Sequence, residues 1–198
     1  MVFSASNQSQ FSDAEYGSFR SFLEKSCGIL LGDNKNYLID SRLRKLLKDN
    51  DLQFLSQLIK EIDRPGSSKL RQQVIDAMTT NETLWFRDKH PFDYLQTHLL
   101  PELGKKPGDI NIWCAACSIG QEPYSISICV EEIRRKNFNL TNKNVRILAT
   151  DISSKVLETA KRGLYEPLAL KRGMSDERLD LYFKHDNEGA WEVKPEIK

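Results

Sequence analysis

No stretch of this chain approaches about eighteen consecutive apolar residues, so no transmembrane helix is expected. An excess of one charge is also missing. The 29 basic residues face 28 acidic ones, and a formal net charge of +1 gives no overall pull toward nucleic acid or an anionic membrane. The first residues lack a basic region followed by an apolar one, so no signal peptide is expected and the cytoplasm is the expected location. Histidine is scarce. His90, His98 and His185 are scattered without the spacing of a metal site. The four cysteines, Cys27, Cys114, Cys117 and Cys129, suit reduced thiols, and a single C-x-x-C excludes a four-cysteine zinc site. Internal repeats and low-complexity runs are missing beyond a polar, Ser/Gln-rich start, expected to be loose. Glycine is thin where a dinucleotide would need it. The turn 115–120 contains Gly120 alone and no G-x-G-x-x-G, which speaks against a nicotinamide cofactor.

What is present is organised around residues 111–151. Ile110, Ile112 and Trp113 read as a short apolar strand that ends at the small-residue turn Ala115–Gly120. A helix starts near Gln121-Glu122-Pro123, where a proline without an N–H is tolerated, and runs over 124–136 with Ile126, Cys129, Val130 and Ile133 on one face. A second strand, 145–150, ends on Asp151. Strand, turn, helix and strand make a βαβ unit, hence a parallel sheet with a right-handed crossover. Such a unit binds ligands at the carboxyl ends of its strands. A carboxylate at the end of the second strand accepts both hydroxyls of a ribose diol, and Asp151 stands there. A turn without three glycines suits a nucleoside with a small amino-acid tail better than one with a pyrophosphate.

Residues 11–79 read as all-helical. Ser12-Asp13 is an N-cap, and Phe19, Phe22 and Leu23 recur at helical spacing. A second helix over 36–48 places Leu38, Leu43, Leu46 and Leu47 opposite Arg42, Lys45 and Lys48, with Arg44 beside them. That basic side is either a solvated surface or a docking face for an acidic partner. A third helix is expected over 52–62, a break at Arg64–Ser68, and a fourth helix to about Met78. Residues 79–88 then turn polar, aromatic and charged. Trp85 and Phe86 fit either the rim of a binding site or two core aromatics in a capped linker. A helix over 91–100 and a linker over 104–108 lead into the first strand. After Asp151 come a helix over 155–161 ended by Gly163, a short helix capped by Ser175, a turn at Asp186–Gly189 and a strand at Trp191–Lys194.

One motif suggests other chemistry. Cys114-Ala115-Ala116-Cys117 follows a strand, as in a dithiol oxidoreductase, and a helix N-terminus would lower a nearby thiol's pKa. The long helical sequence before it and the Gly-x-Glu-Pro after it argue against that reading.

Three segments carry a resemblance. Thr-Thr-Asn-Glu-Thr-x-x-Phe-Arg-Asp (79–88), Trp-Cys-Ala-Ala-Cys-Ser-Ile-Gly-Gln-Glu-Pro-Tyr-Ser (113–125) and Ala-Thr-Asp-Ile-Ser (149–153) resemble the chemotaxis receptor methyltransferases, CheR. Gly-Leu-Tyr (163–165), the Tyr-Phe…Trp-Glu-Val segment (182–193) and Ser-Arg-Leu (41–43) fit as well. The resemblance implies an α/β fold. A helical N-terminal domain (1–80) would precede a linker and helix lining the donor site (81–104). The first part of a Rossmann-like methyltransferase domain (105–198) would follow, with part of a small antiparallel β-subdomain at about 180–198. It implies methyl transfer from S-adenosylmethionine, giving S-adenosylhomocysteine, to glutamate side chains in the cytoplasmic domain of chemoreceptors. Asn81, Thr83 and Arg87 would line the donor site, with Arg87 pairing the donor carboxylate. Glu122 would take the donor's amino group and Asp151 its ribose hydroxyls, while Arg42 would lie near the acceptor glutamate or the donor. Arg42 and Arg87 are the candidate catalytic residues, and the basic side of helix 36–48 becomes the candidate receptor-docking face. The short turn at 184–190 resembles that of members needing no receptor tail peptide. The family's catalytic domain extends beyond residue 198, and two parallel strands cannot cover both their faces. The expectation is therefore a shortened chain or cleaved fragment, or a sheet completed by a second copy. A catalytically incomplete chain that only binds receptor or nucleotide is the alternative reading.

Overall fold

A computed structural model describes residues 11–136, 138–186 and 189–198, and the side chains of all of these but 138 and 139. The polar first ten residues and the middle of the turn expected at Asp186–Gly189 lie outside the described residues. The chain divides into two compact units, Met1–Thr80 and Asn81–Lys198.

The first unit is helical: α1 (Asp13–Cys27), α2 (Asn36–Asp49), α3 (Leu55–Ile62) and α4 (Ser68–Met78), with a short 3-10 turn at Asp33–Lys35. Ser12 starts α1 with a full capping box. Its hydroxyl accepts from the Glu15 N–H while the Glu15 carboxylate accepts from Ser12 N–H. Gly28 ends α1 in the left-handed conformation, φ 71°. The apolar stripes meet in one cluster that includes Tyr16, Phe19, Leu23, Ile39, Leu43, Leu58, Ile62 and Val74. The third helix begins at Leu55, three residues later than its periodicity suggests, because the Phe54 and Gln53 amides are taken by the Gln57 side chain.

The second unit opens with α5 (His90–Tyr94), a π-helical turn (Leu95–Leu99) and α6 (Leu100–Lys105). The single helix expected over 91–100 is thus longer and interrupted. Pro101 offers no N–H to the preceding turn, and the π turn lies directly before it. Gly104, expected in the linker, lies buried in α6. Next come β1 (Ile110–Ala115), α7 (Gln121–Arg134), α8 (Phe138–Thr141), β2 (Val145–Thr150) and α9 (Ser154–Arg162). Strands β1 and β2 pair in parallel from Ile110↔Val145 to Ala115↔Thr150. Ile110 and Cys114 are buried in the core cluster, against which Ile112, Val145, Ile147 and Ala149 pack. The residues between them point the other way, and Trp113 and Leu148 are left 69% and 62% exposed. The sheet therefore has one covered face.

The rest is β3 (Leu164–Tyr165), α10 (Pro167–Leu170), α11 (Asp176–Tyr182), β4 (Phe183–His185) and β5 (Trp191–Val193). The three strands form a small antiparallel sheet in the order β3-β5-β4. Ser175 caps α11 as its sequence suggests. Among the described residues no helix is long and apolar enough to cross a membrane.

Candidate functional site

The loop between β1 and α7 is short, and three of its residues, Ala116, Ser118 and Gly120, have positive φ of 59°, 51° and 92°. Glycine is required at the last. A Cβ on Gly120 would stand 2.9 Å from the Ala160 Cβ and 3.1 Å from the Tyr165 hydroxyl. The other two are held in a costly conformation by their neighbours. Cys117 N–H donates to the Thr150 carbonyl at 2.9 Å, extending the β1–β2 ladder by one rung. Ser118 N–H donates to Asp151 Oδ2 at 2.8 Å, and Ser153 N–H donates to Asp151 Oδ1 at 2.9 Å. Each carboxylate oxygen of Asp151 therefore holds one amide. A carboxylate has about four lone-pair positions, so both oxygens keep room for a further donor. The Ser118 hydroxyl, itself buried, donates to the Asn81 carbonyl at 2.8 Å. Tyr165 O–H donates to the Ile119 carbonyl at 2.7 Å and fixes the far side of the loop.

The segment 81–89 is anchored by its aromatics. Trp85 is 1% exposed and meets Tyr165 and Phe183 in edge-to-face contacts with centroids 4.9 and 5.3 Å away. Phe86 N–H donates to Ser125 Oγ at 3.1 Å, and the Arg178 guanidinium lies 3.9 Å from the Phe86 ring centroid. Arg178 in turn forks onto Glu132 through bonds of 2.8 and 2.9 Å. Burial works against the Glu132 charge, yet the bonds from Arg178 and Gln96 hold its carboxyl below the usual range. Trp85 and Phe86 are thus core residues, not a rim. Residues Phe86, Asp88 and Lys89 all have positive φ, and Arg87 is carried within that run.

Arg87 opens into a cavity of about 420 Å³ whose walls include Thr83, Tyr94, Leu99, Ala116, Glu122 and Ile126. Its guanidinium is loosely held, 3.5 Å from the Glu82 carbonyl and 4.0 Å from Asp88, with 59% of the side chain exposed. Glu122, in the first turn of α7, is exposed to the same space. One cavity therefore offers a guanidinium fork and a carboxylate, the pair that a zwitterionic amino-acid end requires. Asp151 and Asn81 do not line this cavity. They are joined to its Ala116 wall through Ser118.

Arg42 belongs to the helical unit. Its guanidinium donates to the carbonyls of Met78 at 2.6 Å and Thr79 at 3.4 Å, and to Thr80 Oγ1 at 2.9 Å. It satisfies the end of α4, where carbonyls lack helical partners.

The thiols of the C-x-x-C behave opposite to the expectation for a helix N-terminus. Burial, with Glu122 beside it, pushes Cys114 up to about 12, and burial with the Asp151 charge raises Cys117. Both are 1% exposed. Such thiols are poor nucleophiles near neutral pH, so the structure lends the dithiol reading no support.

Three contributors escaped the sequence reading. Ser118 and Ser125 sit in the small-residue run 113–125 without a signal of their own. Gly173 lies against Trp85, where a Cβ would stand 2.0 Å from the Trp85 carbonyl oxygen.

Comparison with known proteins bears on the same residues. A family model described as CheR methyltransferase, SAM binding domain matches residues 81–198, and its companion, the CheR all-alpha domain, matches 14–79. Chemotaxis protein methyltransferase Cher2 of Pseudomonas putida is 48% identical over 186 residues, 93% of this chain and 68% of that protein. Chemotaxis protein methyltransferase 1 of Pseudomonas aeruginosa is 48% identical, and its namesake in Vibrio cholerae 46%, each over 94% of this chain and 68% of the relative. The loops described above lie inside the matched region. The chain belongs to the CheR methyltransferase family.

Proposed function

We propose that this protein transfers a methyl group from S-adenosylmethionine to glutamate side chains of chemoreceptors, forming methyl esters. The observation that carries the reading is that Arg87 and Glu122 line one cavity with Ala116 at the carboxyl end of β1, and that Asp151 at the end of β2 is bonded to the same loop through Ser118. When bound, the donor supplies an electrophilic methyl group on a sulfonium. Arg87 pairs the donor carboxylate, Glu122 takes its ammonium, and the free lone pairs of Asp151 take the ribose hydroxyls. Asn81 and Thr83 complete the donor side.

The acceptor needs no general base, because a glutamate is ionised at neutral pH. Its oxygen must lie in line with the methyl group, so the rate comes mainly from proximity and orientation. Arg87 steers a negative acceptor, though tight pairing would dull its nucleophilicity, while Arg42 is held by Met78, Thr79 and Thr80 within the helical unit. The exposed Arg44, Lys45 and Lys48 on α2 are the candidate face for a glutamate-rich receptor helix.

Calorimetric titration of S-adenosylhomocysteine into the chain and its Asp151→Ala variant tests the site. Loss of two hydroxyl bonds to a charged group is expected to weaken binding at least about tenfold. Equal affinity in both would remove Asp151 from the donor site. Methyl transfer is checked separately, as base-labile label on a receptor cytoplasmic domain.

A further inference from the structure

Ser118 is not among the residues that line the cavity of Arg87 and Glu122. We infer that Ser118 is a positioning residue of the donor site, one that couples Asp151 to the segment carrying Asn81, Thr83 and Arg87. The inference rests on the donor-site reading above.

Three stretches far apart in sequence converge on this residue. Its N–H reaches forward to Asp151 Oδ2, and its hydroxyl reaches back to the Asn81 carbonyl, both at 2.8 Å. Ser118 is 4% exposed, so neither bond can be replaced by water without opening the loop. It holds φ 51° although it has a Cβ, a conformation that persists only where the surroundings determine it. The two bonds are what determine it here. With Ser153 N–H on the other oxygen, they set the plane of the Asp151 carboxylate before any ligand arrives. The hydroxyl bond sets where residue 81 begins, and Trp85 buried against Tyr165 and Phe183 sets where the segment ends. Arg87 follows two residues later. A donor bound at its ribose by Asp151 and at its carboxylate by Arg87 therefore meets two groups whose separation is fixed through one serine. Preorganisation of this kind acts on donor affinity more than on the rate of transfer once the donor is bound.

Two substitutions separate the hydroxyl from the backbone strain. Ser118→Ala removes the hydroxyl and keeps the strain. Ser118→Gly removes the hydroxyl and relieves the strain, so this variant folds even where alanine is costly. Both are expected to raise the Kd for S-adenosylhomocysteine and the KM for the donor about five- to tenfold, the worth of one buried hydrogen bond. At saturating donor, kcat stays within about twofold of the parent. Without ligand, amide exchange over residues 81–84 is faster in both. Parent-like affinity in either variant, or a fall in kcat with KM unchanged, overturns the inference. The Asp151→Ala chain runs beside them. If it binds as the parent does, the donor-site reading falls and takes this inference with it. If it fails to bind while the Ser118 variants bind normally, only the inference about Ser118 falls.

Discussion

The two units of this chain are held by different means. The helical unit is ordinary in its backbone. Among the described non-glycine residues, Asp51 alone has positive φ there, and stability comes from a closed apolar cluster with side chains such as Phe19, Leu43 and Leu58 at 0% exposure. The second unit places five such residues, Phe86, Asp88, Lys89, Ala116 and Ser118, in two loops beside one cavity. Strain of this kind costs on the order of 1–3 kcal/mol per residue and needs a rigid surround. Here the surround is Trp85 with its aromatic partners, the Arg178–Glu132 fork, and the amides that Asp151 accepts. A core made of burial tolerates small losses one at a time. A site made of strained loops depends on a few contacts that each hold a whole segment.

The strongest test of that contrast is Gly173→Ala. The added Cβ would lie 2.0 Å from the Trp85 carbonyl oxygen, at φ 98°, so backbone must move. A loss of about 3 kcal/mol or more is expected, with the thermal midpoint falling by about 6–12 °C. Donor binding should vanish with it, because Arg87 is carried two residues beyond Trp85. A variant that keeps both its midpoint and its affinity would show that the loop is not rigid, and the contrast would collapse.

Much of the architecture was legible because it depends on neighbours in sequence. The α1 capping box, the parallel pair β1–β2, the start of α7 after Gly120 and the capping of α11 follow from local pattern. What escaped depends on distant partners. Whether Trp85 forms a rim or a core is decided by Tyr165, Gly173 and Phe183, some ninety residues later, and no periodicity near residue 85 encodes that. The sign of the thiol shifts depends on burial that the C-x-x-C spacing does not reveal. The π turn had a local cause in Pro101, which a helix ending at Leu100 left just outside. Asp151 came forward from its place at the end of the second strand, and Arg42, Asn81, Thr83, Arg87 and Glu122 took their roles by resemblance. The structure brings Thr83, Arg87 and Glu122 into one cavity and ties Asn81 and Asp151 together through Ser118, while Arg42 is bonded at the end of α4.

The thiols sharpen the comparison at an intermediate scale, since they report whether the strained loop opens. With Cys114 raised from 9.0 to about 12, its thiolate fraction at pH 8 falls by about a thousandfold against an unfolded chain. Native-state alkylation of Cys114 at pH 8 is expected to be at least about a hundredfold slower than in denaturant, read by mass spectrometry of the labelled peptide. A raised pKa means that the folded form holds its proton more tightly. The associated stability is present in full below about pH 9 and is lost as the pH rises through about 12. Rapid labelling at pH 8 would mean that the loop breathes and that the bonds around Asp151 do not hold it shut.

The smallest expected effect lies in the helical unit and has the opposite sign. Asp51 follows the end of α2 in a Schellman arrangement: Leu52 N–H bonds to the Leu47 carbonyl at 2.9 Å and Asp51 N–H to that of Lys48 at 3.2 Å. Its φ of 55° serves only to stop a helix, and glycine does that without a Cβ. Asp51→Gly is therefore expected to leave stability unchanged or raise it by up to about 1 kcal/mol. Ser118→Gly relieves the same kind of strain at nearly the same φ, yet it is expected to weaken donor binding. Thermal melts and S-adenosylhomocysteine titrations on the two variants make the comparison direct. If Asp51→Gly weakened donor binding as Ser118→Gly does, positive φ would not distinguish a strained site from an ordinary helix end, and the division drawn between the two units would fail.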